Sequence, residues 1–371
     1  MKSVVADEIS SATTDFARKN RGLASSRRSG PAEAGQGPSQ ADNTMCGTDN
    51  TEACGQPRSR VICCDGSDMD TFRYSELVAQ GMEEPAIRKS VRNGELTRVR
   101  HGGFVSGTVP DTPEQRHLAL LETTRSLLKD DTVISYGTAA ILWGLPVPPS
   151  QLDRIHVTRN RNAGGTIERW AHTHCQPLAD LDVVEHNGIL TTSLARTAVD
   201  VSRRLPRDAA LAVMDAAWRQ AGTPDALAEQ VSAASHKKGV ATARWALAHA
   251  NPLAESPGES RSRYWMIAAG LPLPLLQFEV QDASGRVLGR ADFAWPDHRV
   301  LGEFDGRIKY DRLVPDGGTA ADIVMKEKVR ENLFRAEGWW VYRWIWDNLR
   351  DGRAFARGLA RFLDQRPTFR G

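Results

Sequence analysis

The stretch RVLGRADFAWPDHRVLGEFDGRIKY, Arg286 to Tyr310, decides how the C-terminal part of the chain is read. Val287 to Trp295 reads as a strand, Pro296-Asp297-His298 as a break, and Val300 to Asp305 as a second strand ended by Gly306. A strand repeats every second residue, so Glu303 and Asp305 face the same way, and Asp292 shares a face of the preceding strand with Leu288 and Ala294. Three carboxylates on a surface otherwise built from Val, Leu, Ala and Phe are costly. Like charges that close cannot all stay ionised without a compensating cation. A divalent ion, Mg²⁺ or Mn²⁺, is the expected compensation, because carboxylate oxygens suit it. The plainer alternative is a capped hairpin with surface acids, and the apolar run around Glu303 and Asp305 weighs against it.

The flanks supply the rest of a fold. Ser256-Pro257-Gly258-Glu259 opens a helix to Ala269, with Ser256 as cap and Glu259 completing a capping box. Leu275 to Gln281 reads as a strand, and Asp282-Ala283-Ser284-Gly285 turns it into the Val287 strand. Asp322 to Ala336 reads as a long helix in which Glu327 and Arg330 share a face and form an ordinary pair. Gly338 ends it, and Trp339 to Trp346 (WWVYRWIW) reads as a buried aromatic strand.

This arrangement resembles the PD-(D/E)xK nuclease superfamily, and within it the actinobacterial branch of the very-short-patch-repair-like endonuclease domains. The residues that carry the resemblance are Asp292-Phe293 and, about ten residues on, Glu303-Phe304-Asp305-Gly306. It covers roughly Pro252 to Leu363. It implies a restriction-endonuclease-like α/β core and metal-assisted phosphodiester hydrolysis. Asp292, Glu303 and Asp305 would hold Mg²⁺ or Mn²⁺, and Glu259, on the first core helix, would reach the same site. The motif calls for Lys two residues past Glu303. Asp305 stands there instead, and the later Lys309 is the candidate for the missing cation. A loop lysine is the competing account of Lys309. In the resemblance the Glu327-to-Glu331 segment also lies beside the active site, where Arg330 would touch phosphate.

The remainder is read from composition outward. A chain of 371 residues with 40% hydrophobic and 25% charged residues is an ordinary globular protein of several domains. A net charge of +2 does not argue for nucleic acid globally, so any basic surface is local. No apolar run approaches the ~18 residues of a membrane span, and the N-terminus has no apolar signal core, so a cytoplasmic location is expected. Cys46, Cys54, Cys63 and Cys64 match no zinc-ligand spacing and read, like Cys175, as reduced thiols. Residues 1–68 lack apolar periodicity and read as a disordered tail, with Met69 a candidate for the true start.

From Phe72 the pattern is helix, turn, helix, hairpin. Ile87 and Val91 face a core, and Leu96 to Arg100 and Phe104-Val105 flank His101-Gly102-Gly103. This resembles the winged helix-turn-helix of AbiEi-family type IV antitoxins through Gly94, Leu96, Arg98, Val99, Gly102 or Gly103, Phe104 and Val105. Arg88, Lys89, Arg92, Arg98 and Arg100 are the residues expected to meet DNA. Thr112 caps a helix to Lys129. Ile134 to Trp143 reads as an apolar helix, and Asp182 to His186 and Ile189 to Thr192 as strands around an Asn187-Gly188 turn. Ser135 to Leu145 and Arg196 to Asp200 also resemble the middle region of the AbiEi-type family. Arg196 and Asp200 form an i,i+4 pair. His156, His172, His174 and His186 have no Cys or carboxylate at ligand spacing and read as plain surface residues.

The expected organisation is a tail (1–68), a winged helix-turn-helix (69–110), an α+β middle module (111–250) and a nuclease-like α/β domain (251–371). The function expected from it is DNA binding with metal-dependent endonuclease chemistry. The alternative is an antitoxin-like DNA-binding regulator whose nuclease fold no longer cuts. A toxin partner and the oligomeric state are left open.

Overall fold

The computed structural model describes residues 60–62, 68–108, 112–306 and 320–365. Most of the expected tail, with its four cysteines, and Lys309 lie outside the described residues. Among the described residues the chain is mixed α/β, with eleven α-helices and three sheets. None of these helices is long and apolar enough to cross a membrane.

The first sheet contains β1 (Arg60–Ile62), β2 (Asp68–Arg73), β3 (Leu96–Arg100) and β4 (Gly103–Ser106), in the order β1-β2-β4-β3 and antiparallel throughout. The pairing of Arg60–Ile62 with β2 corrects the tail reading, because ordered strand begins before Met69. Helices α1 (Tyr74–Ala79) and α2 (Glu84–Arg92) lie between β2 and β3. Leu77 and Ile87 close a small core on Leu96 and Phe104, and Val91 packs against it, as the spacing predicts for Ile87 and Val91.

The second sheet contains β5 (Thr132–Ile134), β6 (Ile155–Arg159), β7 (Thr166–Ile167), β8 (Ala171–Cys175), β9 (Val183–His186) and β10 (Ile189–Thr192), in the order β7-β8-β6-β5-β10-β9. β6 runs parallel to β8, and β5 parallel to β10. Asn187 and Gly188 both have positive φ (52° and 71°), as a primed hairpin turn requires. The expected helix from Ile134 is corrected. Val133 and Ile134 belong to β5, where Ile134 pairs with Val157 and Thr191, and α4 spans only Tyr136–Leu142. A short β-branched run inside an apolar stretch reads equally well as either element, and here cross-strand pairing decides.

Thr112 Oγ1 accepts from the Gln115 amide and opens α3 (Pro113–Arg125), which stops short of Lys129. Helices α5 (Leu194–Ser202), α6 (Arg207–Ala221), α7 (Asp225–Ala233) and α8 (Val240–His249) share the largest core with α4. The expected Arg196–Asp200 pair is part of a buried network. Arg196 Nε lies 2.6 Å from Asp200 and Nη1 lies 2.7 Å from Asp182, while Arg203 takes the other Asp200 oxygen at 2.7 Å.

The third sheet is β11 (Leu275–Gln281), β12 (Val287–Trp295), β13 (Val300–Asp305) and β14 (Trp340–Ile345), in that order, antiparallel except for the parallel β13–β14 pair. α9 (Pro257–Ala268) and α11 (Gly352–Asp364) contribute Met266, Phe355 and Leu359 to one face, with Phe293, Trp295, Val300 and Trp344. α10 (Ala320–Ala336) brings Phe334 to the other, against Val280, Ala294, Leu301 and Trp339. The aromatic strand is buried only in part. Trp339 and Trp344 are core, whereas Trp340 is 52% exposed at the edge of the sheet. Arg263 of α9 clamps this part to the second, with Nη1 2.9 Å from the buried Asp215 of α6 and Nη2 on the His249 carbonyl.

The Asp200 network generates a stability prediction. Asp200→Ala leaves Arg203 and one edge of Arg196 buried without their carboxylate, and breaking a buried pair costs roughly 3–5 kcal/mol. A urea midpoint within experimental error of the wild type would show that the network is dispensable.

Candidate functional site

The antiparallel β12–β13 pairing runs from Trp295↔Val300 through Ala294↔Leu301 to Phe293↔Gly302. Just past its last pair, Asp292 Oδ2 accepts the Phe304 amide at 2.9 Å. The hairpin thus places Asp292 beside Glu303. Parallel pairing of β13 with β14 puts Arg343 directly against Glu303. Glu303 is 8% exposed and doubly paired, with Arg330 of α10 at 3.0 Å and Arg343 at 2.7 Å. Gly289 makes room for this, since a Cβ there would sit 3.0 Å from the Arg330 side chain.

Glu259 enters from the first turn of α9. Its carboxylate accepts from Ser256 Oγ (2.7 Å), the Glu255 amide (2.9 Å) and Gln277 Nε2 (2.9 Å). Ser256 Oγ also accepts the Glu259 amide (3.2 Å), so the cap forms as expected, but Glu259 reaches back to the Glu255 amide and not to that of Ser256, so the capping box closes only in part. Gln277 adds a donor that no local motif announces. Gln277 has φ +50° although its strand neighbours Leu276 and Phe278 pair normally with Phe293 and Ala291. A non-glycine residue in that region is strained, and such strain gathers at functional sites.

Burial pushes the Asp292 carboxyl up to about 6, and the nearby Glu259 charge adds to the rise; the Phe304 amide and Arg330 oppose it. Burial likewise raises Glu303, against the pull of Arg330 and Arg343. Glu259 is also raised by burial, against its Ser256 and Glu255 hydrogen bonds. The three acids thus form a chain with Asp292 in the middle. Asp305 ends β13, half-buried. Among the described residues Asp292, Glu303 and Asp305 are not gathered into a ready-made group of metal-ligand atoms. The counter-charge at Glu303 comes from two guanidinium groups that sequence spacing could not bring together.

The basic residues divide. Arg88, Lys89, Arg92 and Arg98 are exposed. Arg88, Arg92 and Arg98 line a groove of about 960 Å³ together with Tyr74 and His101, and Arg88 also pairs with Glu84 at 2.5 Å. Arg100 is corrected. It is 7% exposed and donates to the carbonyls of His101 and Thr123, fastening the hairpin to α3.

No family model matches the chain. Two curated relatives do: "Uncharacterized protein Rv2248" of Mycobacterium tuberculosis (strain H37Rv) and "Uncharacterized protein MT2308" of the same species (strain CDC 1551 / Oshkosh). Each is 34% identical over 295 residues, which take in 76% of this chain and 98% of the relative. The chain belongs to this mycobacterial family. Those names assign the family no chemistry, so its functional reading rests on the site.

A second cluster was missed by the sequence. His156 on β6 and His172 and His174 on β8 bring their ring nitrogens within 4.8 Å of one another. Burial, with neighbouring His172 and Arg204, holds His156 down to about 3 and His174 to about 2, so both rings are neutral. The i,i+2 spacing of His172 and His174 was a signal, but the His156↔His172 register that completes the group was not legible.

Asp292 makes a pH prediction. Its folded carboxyl titrates near 6 against an ordinary value of 3.8, so the folded chain binds more protons in that interval. Stability falls as pH rises through the window, and the loss is complete above it. In chelator, Asp292→Asn should therefore be more stable than the wild type at pH 7, by about 1–3 kcal/mol after allowing for solvent screening, and equal to it at pH 4. Denaturant midpoints at the two pH values check this, and an equal difference at both would disprove it.

Proposed function

We propose that this chain is a DNA-binding protein whose C-terminal domain hydrolyses phosphodiester bonds with a divalent metal. In this reading residues 69–110 form a winged helix-turn-helix, 111–250 an AbiEi-like middle module and 251–371 a PD-(D/E)xK-like core of very-short-patch-repair type. The observation that carries it is Asp292. It is a half-buried carboxylate next to Glu303 on the adjoining strand, raised to about 6 by burial and by Glu259, and no arginine or lysine pairs with it among the described residues. The element order α9-β11-β12-β13-α10-β14, with its one parallel pair, supports the core assignment.

The donors fit Mg²⁺ or Mn²⁺, being hard carboxylate oxygens on a site short of positive charge. Asp292 and Glu303 would hold the ion, with Asp305 and Glu259 completing or orienting its shell. Bound there, the ion would polarise the phosphate and lower the pKa of its own water. Arg330, already against Glu303, would meet a phosphate oxygen. Lys309 keeps its proposed role as a further cation.

A second reading, an antitoxin-like DNA-binding regulator, is favoured by the Arg330–Glu303–Arg343 clamp, which satisfies Glu303 without a metal. Supercoiled plasmid with Mg²⁺ or Mn²⁺ separates the two. Nicking that is lost in both Asp292→Ala and Glu303→Ala supports the nuclease. No nicking by the wild type, with duplex binding that survives both changes, supports the regulator.

The groove residues make a further prediction. Arg92→Ala and Arg98→Ala should each weaken duplex binding across sequences and lower the salt slope by about one, the mark of a lost phosphate contact. Arg100→Ala should instead lower thermal stability. An unchanged salt slope in the first two would remove this groove as the DNA-binding face.

A further inference from the structure

The histidines of the second sheet form a site that the proposed nuclease does not use. β6 and β8 are parallel neighbours, and their register sets His156 against His172. His172 and His174 lie two residues apart, so all three rings project from one sheet face. The rings are in contact, with centroids 3.8 Å apart for His172 and His174, 5.4 Å for His156 and His172, and 5.2 Å for His156 and His174. His156 Nδ1 and His174 Nε2 are 2.9 Å apart. Among the described residues no hydrogen bond holds the His172 ring.

Ordinary packing does not account for the group. A buried histidine is normally satisfied by a carbonyl, hydroxyl or carboxylate, as His117 is by the Leu152 carbonyl and Thr138 Oγ1. The three clustered rings have one hydrogen bond between them, and it joins two imidazoles. The neighbourhood is also built to hold them. Thr138 Oγ1 accepts the His156 amide, fixing β6 at that residue. Tyr136 adopts φ +48° at the start of α4 and places its ring 4.1 Å from that of His174. Arg204 lies over the Tyr136 ring at 4.1 Å, and its charge reaches all three histidines.

We propose that His156, His172 and His174 are the protein ligands of a transition-metal site that takes a borderline-soft divalent cation, Zn²⁺ being the physiological choice among Zn²⁺, Co²⁺ and Ni²⁺. Three imidazole nitrogens with no carboxylate suit these ions and not Mg²⁺. The fourth position is left to water or an exogenous anion. Because the ligands come from two paired strands, the bound metal would staple β6 to β8 and stabilise the second sheet.

The test uses the full chain, stripped with chelator and titrated with Co²⁺ as a spectroscopic probe. The expected result is one saturable equivalent with visible d–d bands, no near-ultraviolet thiolate band of the kind Cys ligation would bring, and displacement by Zn²⁺. Zn²⁺ should also raise the thermal midpoint. His172→Gln, a half-exposed position, should lose the cobalt spectrum while keeping its far-ultraviolet dichroism. Asp292→Asn/Glu303→Gln should keep that spectrum, which distinguishes this site from the acidic one. Absence of saturable binding, a thiolate spectrum, or a spectrum that survives His172→Gln overturns the proposal. If His172→Gln does not fold, carbethoxylation of the wild type decides: Zn²⁺ must protect the peptides carrying His156, His172 and His174, and equal modification with and without Zn²⁺ rejects the site.

Discussion

A carboxylate taken out of water has to be given a positive partner, and this chain meets that constraint with arginine almost everywhere. Asp200 and Asp182 close on Arg196 and Arg203, Asp215 on Arg263, and Glu303 on Arg330 and Arg343. Each pair also fixes a junction. The first ties α5 to the turn before β9, the second ties the third sheet's first helix to α6, and the third ties β13 to α10 and β14. Arginine suits these places because its planar fork serves two acceptors at once and stays charged when buried. Two acids of the third sheet depart from this. Glu259 is held by Ser256, Gln277 and the Glu255 amide, and Asp292 has a backbone amide and no guanidinium, its carboxyl rising to about 6. The proposed chemistry rests on that departure, since a site short of one positive charge is where a cation has something to do.

Much of the third sheet is legible in the sequence. β12 and β13 fall on the expected residues because alternation, the Pro296 break and Gly306 all agree. Ser256, Pro257 and Glu259 likewise write the start of α9 in local chemistry. What failed was whatever depends on a partner distant in sequence. Ile134 looked helical until Val157 and Thr191 claimed it as strand. Arg100 looked like a DNA ligand because a strand residue's exposure depends on what packs beneath it, here α3 and the Thr123 carbonyl. Gln277 and Arg343 carried no motif at all, yet one donates to Glu259 and the other to Glu303.

The histidines show the same limit in its sharpest form. Spacing along β8 gave two of them a common face, but a third ligand from another strand depends on register, and register is a tertiary property. The absence of nearby carboxylates argued against a metal when only the sequence was in view. In the folded chain burial, with Arg204 nearby, lowers all three rings, and the neutral imidazole is the form that ligates.

The two candidate sites therefore divide metal chemistry by donor type. The third sheet offers oxygen from Asp292, Glu303 and Glu259, with two arginines competing for one of them; the second offers nitrogen from three rings with Arg204 close by. A hard ion such as Mg²⁺ gains little from imidazole and much from carboxylate, while Zn²⁺ bonds well to both. Selectivity is thus asymmetric. Of these two candidate sites only the acidic one would suit Mg²⁺, and Zn²⁺ would be sorted by geometry, because the rings are already gathered within 4.8 Å whereas Glu303 must first loosen its hold on Arg330 and Arg343. Arginine occupancy of Glu303 then acts as a threshold, which only a ligand that brings compensating negative charge, such as a phosphate meeting Arg330, would lower.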